Sequence, residues 1–261
     1  MIGFIGGGNM AEAIIKGIAH KYAGNIIVSE PRDERRAYLE KTYRINTYPQ
    51  NKDAASNADI IILAVKPQDM EKVLGEVSDL ISKEKTVVSI AAGITLSYLS
   101  ARLATKKIVR IMPNTPALIQ EGMSVMSMCE CIHDKDIAVI KDIFMSIGRL
   151  LTLPEKYMDA VTALSGSGPA FFAYFTEAMI EGAVGMGLST DDATTLAVQT
   201  LLGTARLLDT GMSPTKLREM VTSPKGTTAA GLAIFEKKGL KQIVADAVVA
   251  ATERARELGK E

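Results

Sequence analysis

The feature that most constrains this chain is a short apolar run that breaks at three glycines and resumes at once as a helical pattern. Ile2-Gly3-Phe4-Ile5 reads as a strand, Gly6-Gly7-Gly8-Asn9-Met10-Ala11 as a tight turn, and Glu12-Ala13-Ile14-Ile15-Lys16-Gly17-Ile18 as an amphipathic helix. The spacing Gly6-x-Gly8-x-x-Ala11 is a dinucleotide-binding fingerprint in its alanine form. Gly6 lets the chain turn tightly out of the strand, Gly8 lets the backbone approach a pyrophosphate, and small Ala11 lets the helix lie close on the sheet. The phosphates would sit on the helix N-terminus, where free N–H groups and the dipole favour negative charge. Gly6, Gly8, Asn9, Met10 and Ala11 are therefore candidate cofactor contacts.

At 261 residues the chain has room for one large or two modest domains, each with a core. Lys plus Arg and Asp plus Glu each total 30, so no net field recruits nucleic acid or an anionic membrane. A polymer substrate is disfavoured. Cys129 and Cys131 stand too close for an ordinary disulfide and lack a second pair for zinc, so incidental thiols in a reducing cytosol are expected, and no metal site. The strand at the start leaves no basic and apolar leader pattern, so a signal peptide is not expected.

Asn25 to Ser29 reads as a second strand ending at Glu30, with Arg32, Arg35 and Arg36 close behind. An acid here usually binds the ribose 2′-hydroxyl of NAD, whereas an Arg accommodates the 2′-phosphate of NADP. Both signals are present, and a solvated helix start over 33–43 accounts for the arginines equally well. Ile45 to Thr47 is a brief third strand, and Asn51 is placed to cap a short helix. Ile60 to Val65 is an uninterrupted apolar run of the kind covered on both faces, and it ends at Lys66-Pro67. Thr86 to Ile90 leads to Ala91-Ala92-Gly93, and Lys107 to Met112 leads to Pro113-Asn114-Thr115-Pro116. Helical patterns at about 68–81 and 95–104 separate these strands, which predicts a parallel α/β sheet. A further strand at 123–128, a helix at about 134–147 and a last strand at 150–153 complete it.

From Glu155 onward only helical periodicity remains, so the expected domains are 1–154 and 155–261. Ser165-Gly166-Ser167-Gly168-Pro169 opens an apolar helix from Ala170 to about Gly187 whose only charges are Glu177 and Glu181. Two carboxylates in mid-segment argue against a membrane span, and a helix apolar nearly all round needs cover, most simply another subunit. Ser189 and Ser213-Pro214 mark two more helix starts. Val221-Thr222-Ser223-Pro224-Lys225-Gly226-Thr227-Thr228 gathers hydroxyls and a glycine ahead of a helix N-terminus. That arrangement suits a carboxylate or phosphate, and an elaborate cap equally.

Taken in order, these motifs resemble the pyrroline-5-carboxylate reductase family from end to end. The resemblance is carried by Gly6 to Ala11, Ala64-Val65-Lys66-Pro67, Arg110 to Pro116, Leu164 to Ala170, and above all Val221 to Leu232. It implies an N-terminal Rossmann-like, mostly parallel sheet with a C-terminal all-helical dimerisation domain. It also implies hydride transfer from NADP(H), with NAD(H) as the alternative, to the C=N bond of 1-pyrroline-5-carboxylate. Ser29, Arg32 and Asn51 would lie toward the adenosine end of the cofactor, and Ala64, Val65, Lys66, Pro67, Ala92, Asn114 and Thr115 along its ribose and nicotinamide. Ser223, Gly226, Thr227 and Thr228 would hold the substrate carboxylate, with Thr228 orienting the substrate and relaying a proton. Two chains would interlock their helices as a homodimer or larger assembly in the cytoplasm, with no nucleic-acid or membrane partner. The family usually has Gly-Gly where this chain has Lys225-Gly226, and a lysine would be strained there if positive φ is required.

Two other readings remain at this point. A β-hydroxyacid dehydrogenase would place a lysine four residues after Gly168, where this chain has Phe172, and alcohol oxidation needs a base. A nucleotide-sensing module without catalysis would not need the hydroxyl-rich loop.

Overall fold

A computed structural model describes residues 1–129 and 131–259. By compactness the chain falls into two units, one of residues 1–167 joined by the last stretch from Ala250, the other of residues 168–249.

In the first unit strand and helix alternate: β1 (Ile2–Ile5), α1 (Asn9–Tyr22), β2 (Ile26–Ser29), α2 (Asp33–Tyr43), β3 (Asn46–Tyr48), α3 (Asn51–Asn57), β4 (Ile60–Leu63), α4 (Met70–Val77), β5 (Thr86–Ser89), α5 (Leu96–Arg102) and β6 (Ile108–Met112). Then come β7 (Gly122–Met128), α6 (Asp134–Met145), β8 (Gly148–Thr152) and the short α7 (Met158–Val161). The sheet order is β3-β2-β1-β4-β5-β6-β7-β8, parallel except where β7 runs against β6. Side chains alternate across the strands, and the central strands are apolar on both faces. Phe4, Val28, Ile62 and Val88 therefore point into one helical layer, with Ile14, Ile18 and Phe144. Ile5, Ile27, Ile61 and Val87 point into the other, with Met70, Leu74 and Leu99. β1 lies between β2 and β4, so successive connections leave it toward opposite sides. In such sheets ligands bind in the crevice outside the carboxyl ends of the strands at this switch point, and the glycine turn after β1 stands there.

The second unit is helical: α8 (Gly168–Gly185), α9 (Thr190–Asp209), α10 (Pro214–Met220), α11 (Thr227–Lys237) and the first part of α12 (Leu240–Leu258). Ser189 and Ser213 cap α9 and α10 by accepting from Asp192 N and Lys216 N, and Pro214 opens α10 as expected. Phe175 of α8 meets Phe235 of α11 with ring centroids 6.0 Å apart. Much apolar surface nevertheless faces solvent in the single chain, including Phe172, Tyr174, Met179, Leu196, Ile234 and Ile243. No described helix is long and apolar enough to cross a membrane.

Two expectations are corrected. Cys129 and Cys131 are joined, with sulfurs 2.17 Å apart. Their Cα atoms lie 5.4 Å apart, inside the span a disulfide accepts, whereas fully extended chain would hold them farther apart. Asn51 does not cap α3: it is the first helical residue, with Gln50 at the cap position, and its side chain turns to other partners.

Candidate active site

The turn after β1 is built as the glycines require. Gly6 has φ +97° and donates its N–H to Ser29 O at 2.9 Å; a Cβ there would stand 2.7 Å from Ala64 O. Only glycine tolerates both the left-handed backbone and that approach. Gly8 caps α1 in extended conformation, and a Cβ built on it would meet nothing within 4 Å. The open space lies over the first turn of α1, where the helix ladder begins only with Glu12 N bonding to Gly8 O. The N–H groups of Asn9, Met10 and Ala11 are thus left for an anion. Ala11 is buried, which brings α1 onto the sheet. The cradle has the shape and donor set that a pyrophosphate needs.

Glu30, at the end of β2, is the hub beneath this turn. Its buried carboxylate accepts from Gly7 N at 3.2 Å, Arg32 N at 3.1 Å and Arg32 Nε at 2.8 Å. Burial alone pushes its pKa up; the Arg32 side chain and these backbone donors outweigh that and hold it below the ordinary 4.5. Arg32 is mostly exposed at the rim, whereas Arg36 is taken up by Glu30 O, Pro31 O and Asp33. Buried Ser29 donates to Asn51 Oδ1 at 2.9 Å, and Asn51 Nδ2 donates to Glu76 at 2.7 Å. The structure thus brings Ser29 and Asn51 together at one end of the crevice.

The other end is lined by the loops after β4, β5 and β6. Ala64 and Val65 are half-buried beside Gly6, and Lys66 and Pro67 follow, Lys66 exposed. Ala92 is half-buried in the loop after β5, and Thr115 opens a 3₁₀ turn after β6. Asn114 accepts from Met123 N at 2.8 Å and donates to Ser165 O at 3.2 Å. Ser165 belongs to a π-helical turn, Thr162–Gly166, of the kind that recurs at functional sites. This junction is absent from the sequence expectations, which treat the two motifs separately.

A second missed feature is buried Arg110 on β6. Its guanidinium meets Glu155 at 3.2 Å and Asp159 at 3.8 Å, and Glu155 also accepts from Leu96 N at 2.7 Å. The readable signal was a lone cation inside Ile108-Val109-Arg110-Ile111, with two acids four residues apart beyond the last strand.

In the second unit, Gly226 caps α11 with no side-chain acceptor on the helix, and Thr227 and Thr228 are its first two residues. Gly226 N bonds to Ser223 O at 3.0 Å, and a Cβ on Gly226 would lie 2.4 Å from Ser223 Oγ. Ser223, Gly226, Thr227 and Thr228 therefore share one short turn. Lys225 holds φ +62°, the left-handed conformation in which its replacement of glycine is strained. Among the described residues no group of three His, Cys, Asp or Glu side chains is arranged to hold a metal.

Comparison with known proteins agrees with this layout. Residues 155–258 match the family model for pyrroline-5-carboxylate reductase dimerisation, and residues 1–93 match that for NADP oxidoreductase, coenzyme F420-dependent. A pyrroline-5-carboxylate reductase of Synechocystis is 43% identical over 99% of this chain and 98% of its own length. That of Methanosarcina acetivorans is 42% identical, with the same coverage. Among solved structures, a pyrroline-5-carboxylate reductase from Coxiella burnetii superposes with TM-score 0.91 at 34% identity, covering 100% of this chain and 98% of the other. The Plasmodium falciparum pyrroline carboxylate reductase with NADP bound gives 0.88 at 33%, covering 99% and 97%. The chain belongs to the pyrroline-5-carboxylate reductase family.

Proposed function

We propose that this protein reduces 1-pyrroline-5-carboxylate to L-proline with NADPH, in the balance NADPH + H⁺ + 1-pyrroline-5-carboxylate → NADP⁺ + L-proline. The observation that carries this reading is the pairing of two anion cradles in one chain of this family. One is the glycine turn at α1, and the other is the hydroxyl-rich turn at α11. When bound, the reduced nicotinamide supplies the hydride. The chain's own part is to bind, align and exclude water, because a protonated imine is already electrophilic and demands no strong acid. That suits a chain with only two histidines, His20 and His133.

In this proposal Gly6, Gly8, Asn9, Met10 and Ala11 hold the pyrophosphate, and Arg32 the 2′-phosphate. Ser29 and Asn51 flank the adenosine, and Ala64, Val65, Lys66, Pro67, Ala92, Asn114 and Thr115 line the ribose and nicotinamide. NADP in the Plasmodium relative and the solvent-exposed guanidinium of Arg32, seated on Glu30 at the rim, support NADP(H) as cofactor, with NAD(H) second. Ser223, Gly226, Thr227 and Thr228 hold the substrate carboxylate through first-turn N–H groups and hydroxyls, with Thr228 aligning the ring and relaying the proton. The functional boundary falls near residue 155, where the dimerisation model begins its match. Two chains interlock their C-terminal helices, which is supported by the uncovered apolar faces of α8, α9 and α12. The cytosol, with its reduced NADPH pool, is the setting in which such a reduction proceeds.

The test follows reduced-nicotinamide absorbance on adding 1-pyrroline-5-carboxylate. Substrate-dependent oxidation is expected, with kcat/KM higher for NADPH than for NADH; none with either cofactor overturns the proposal. Thr228→Ala should lower kcat/KM by about 10- to 100-fold, the range of one lost hydrogen bond to a charged group. An unchanged value removes Thr228 from the chemistry.

A further inference from the structure

The three arginines after β2 look interchangeable in the sequence, but their surroundings differ. Arg35 points away from the rim and back under the glycine turn. Its Nε donates to Gly7 O at 2.7 Å, and one terminal nitrogen donates to Gly8 O at 3.3 Å and to Glu12 Oε2 at 2.5 Å. Only 17% of its side chain is exposed, and its guanidinium stacks over the Tyr38 ring at 5.2 Å. Glu12 is fixed in turn: its other oxygen accepts from Tyr38 OH at 2.8 Å and Tyr43 OH at 2.9 Å. Glu30 holds the same turn through Gly7 N.

We infer that Arg35, locked by Glu12, Tyr38 and Tyr43, is a positioning residue of the pyrophosphate cradle and not a ligand of the 2′-phosphate. This rests on the cofactor reading above. The physical reason is that Gly7 and Gly8 have no side chains to fix their peptide planes, yet an anion site needs its N–H groups aimed before the ligand arrives. Arg35 holds the two carbonyls on the far side of those planes, while Glu30 holds Gly7 N. Arg35 and Arg32 each pair with a carboxylate, but Arg35 is enclosed with Glu12 away from solvent, whereas Arg32 stays mostly exposed on Glu30 and can still meet a phosphate. Arg36 is likewise engaged with Glu30 O and Pro31 O. Discrimination between NADPH and NADH then falls on Arg32, and Glu30 acts as the seat of Arg32 rather than as a ribose ligand.

A braced turn and a ligand arginine predict different cofactor patterns, because both cofactors carry the pyrophosphate and only NADPH carries the 2′-phosphate. The experiment measures Kd for NADPH and NADH from the fluorescence of the bound reduced nicotinamide, with the full-length protein and no second substrate. It therefore does not depend on the reaction proposed above. Arg35→Gln should weaken both cofactors by about tenfold, one charge-assisted hydrogen bond's worth, leaving their ratio within about twofold. Arg32→Ala should weaken NADPH alone. A loss confined to NADPH in Arg35→Gln, or no loss of either, overturns the inference. Glu12→Gln keeps the shape but removes the charge that locks Arg35. It carries the same test should Arg35→Gln fail to fold, with a smaller parallel loss expected and a selective or absent loss again overturning.

Discussion

The two units bury apolar residues by the same rule and reach opposite outcomes. In the first, Phe4 and Phe144 are wholly enclosed, because each face of a central strand meets a helical layer of the same unit. In the second, Phe172 is 63% exposed and Tyr174 76%, although α8 is as apolar as a core helix. A doubly wound sheet has two faces and connections enough to cover both. A handful of helices with apolar residues on most sides cannot cover one another. The first unit is closed within one chain, whereas the second, which lies within the match to the dimerisation model, leaves its apolar faces uncovered. The contrast teaches that hydrophobicity locates a buried surface without saying which molecule buries it.

The sharpest way to break this comparison is to damage each apolar surface in turn. Tyr174→Asp should abolish dimerisation, raising the dissociation constant at least about a thousandfold, as loss of a central aromatic anchor does. Sedimentation velocity would then find monomer where the unsubstituted protein is a homo-oligomer. An unshifted dimer would mean that α8 is covered some other way. Ile14→Ala, in the closed core, should instead cost about 3 kcal/mol by cavity formation and lower Tm. That loss should not depend on protein concentration.

A smaller effect separates the units by pH. Glu30 is buried under the glycine turn, and its folded pKa lies below the ordinary 4.5. Its contribution is therefore fully present above about pH 5 and is lost as pH falls through the folded value, since the unfolded chain then binds the proton more readily. Glu30→Gln should destabilise the first unit by about 1–3 kcal/mol near neutrality, the worth of a hydrogen-bonded buried charge, with the deficit closing in acid. Denaturant titrations at several pH values would check it; a deficit constant with pH would assign the effect to shape alone. The acids of α8, Glu177 and Glu181, stand exposed in the single chain and offer no matching cluster.

What the sequence made legible follows the range of the forces involved. The strand, turn and helix at 2–22 were readable because glycine freedom, periodicity and first-turn N–H groups are local properties. So was the apolar α8, whose need for cover showed in composition alone. The place of Asn51 is not legible in this way, because a cap is defined by backbone dihedrals, and Ser29 and Glu76, from other elements, compete for its amide. The cysteine pair is not legible either, because separation along the chain does not fix the distance between two Cα atoms. The duty of Arg35 was hidden for the same reason: Glu12 lies 23 residues away, and only the folded sheet brings α1 and α2 together. Arg110 left a faint trace, a cation in a β-run, with nothing local to name its partners.

Lys225 is the case where local reasoning reached the right strain and left its size open. Its φ of +62° puts Cβ against the following carbonyl, a cost of about 1–2 kcal/mol for a residue other than glycine. Glycine would remove that strain but free the unfolded chain, giving back about 0.4–1 kcal/mol. The first term exceeds the second, so Lys225→Gly should stabilise by about 0.5–1 kcal/mol, read as a slightly higher denaturant midpoint at unchanged slope. Protein concentration must be held constant, because association of chains shifts apparent stability by mass action. A lower midpoint would show that the lysine side chain contributes more to this loop than its backbone costs. The turn at α11 would then be tuned by a cation, whereas the turn at α1 is tuned by the absence of side chains.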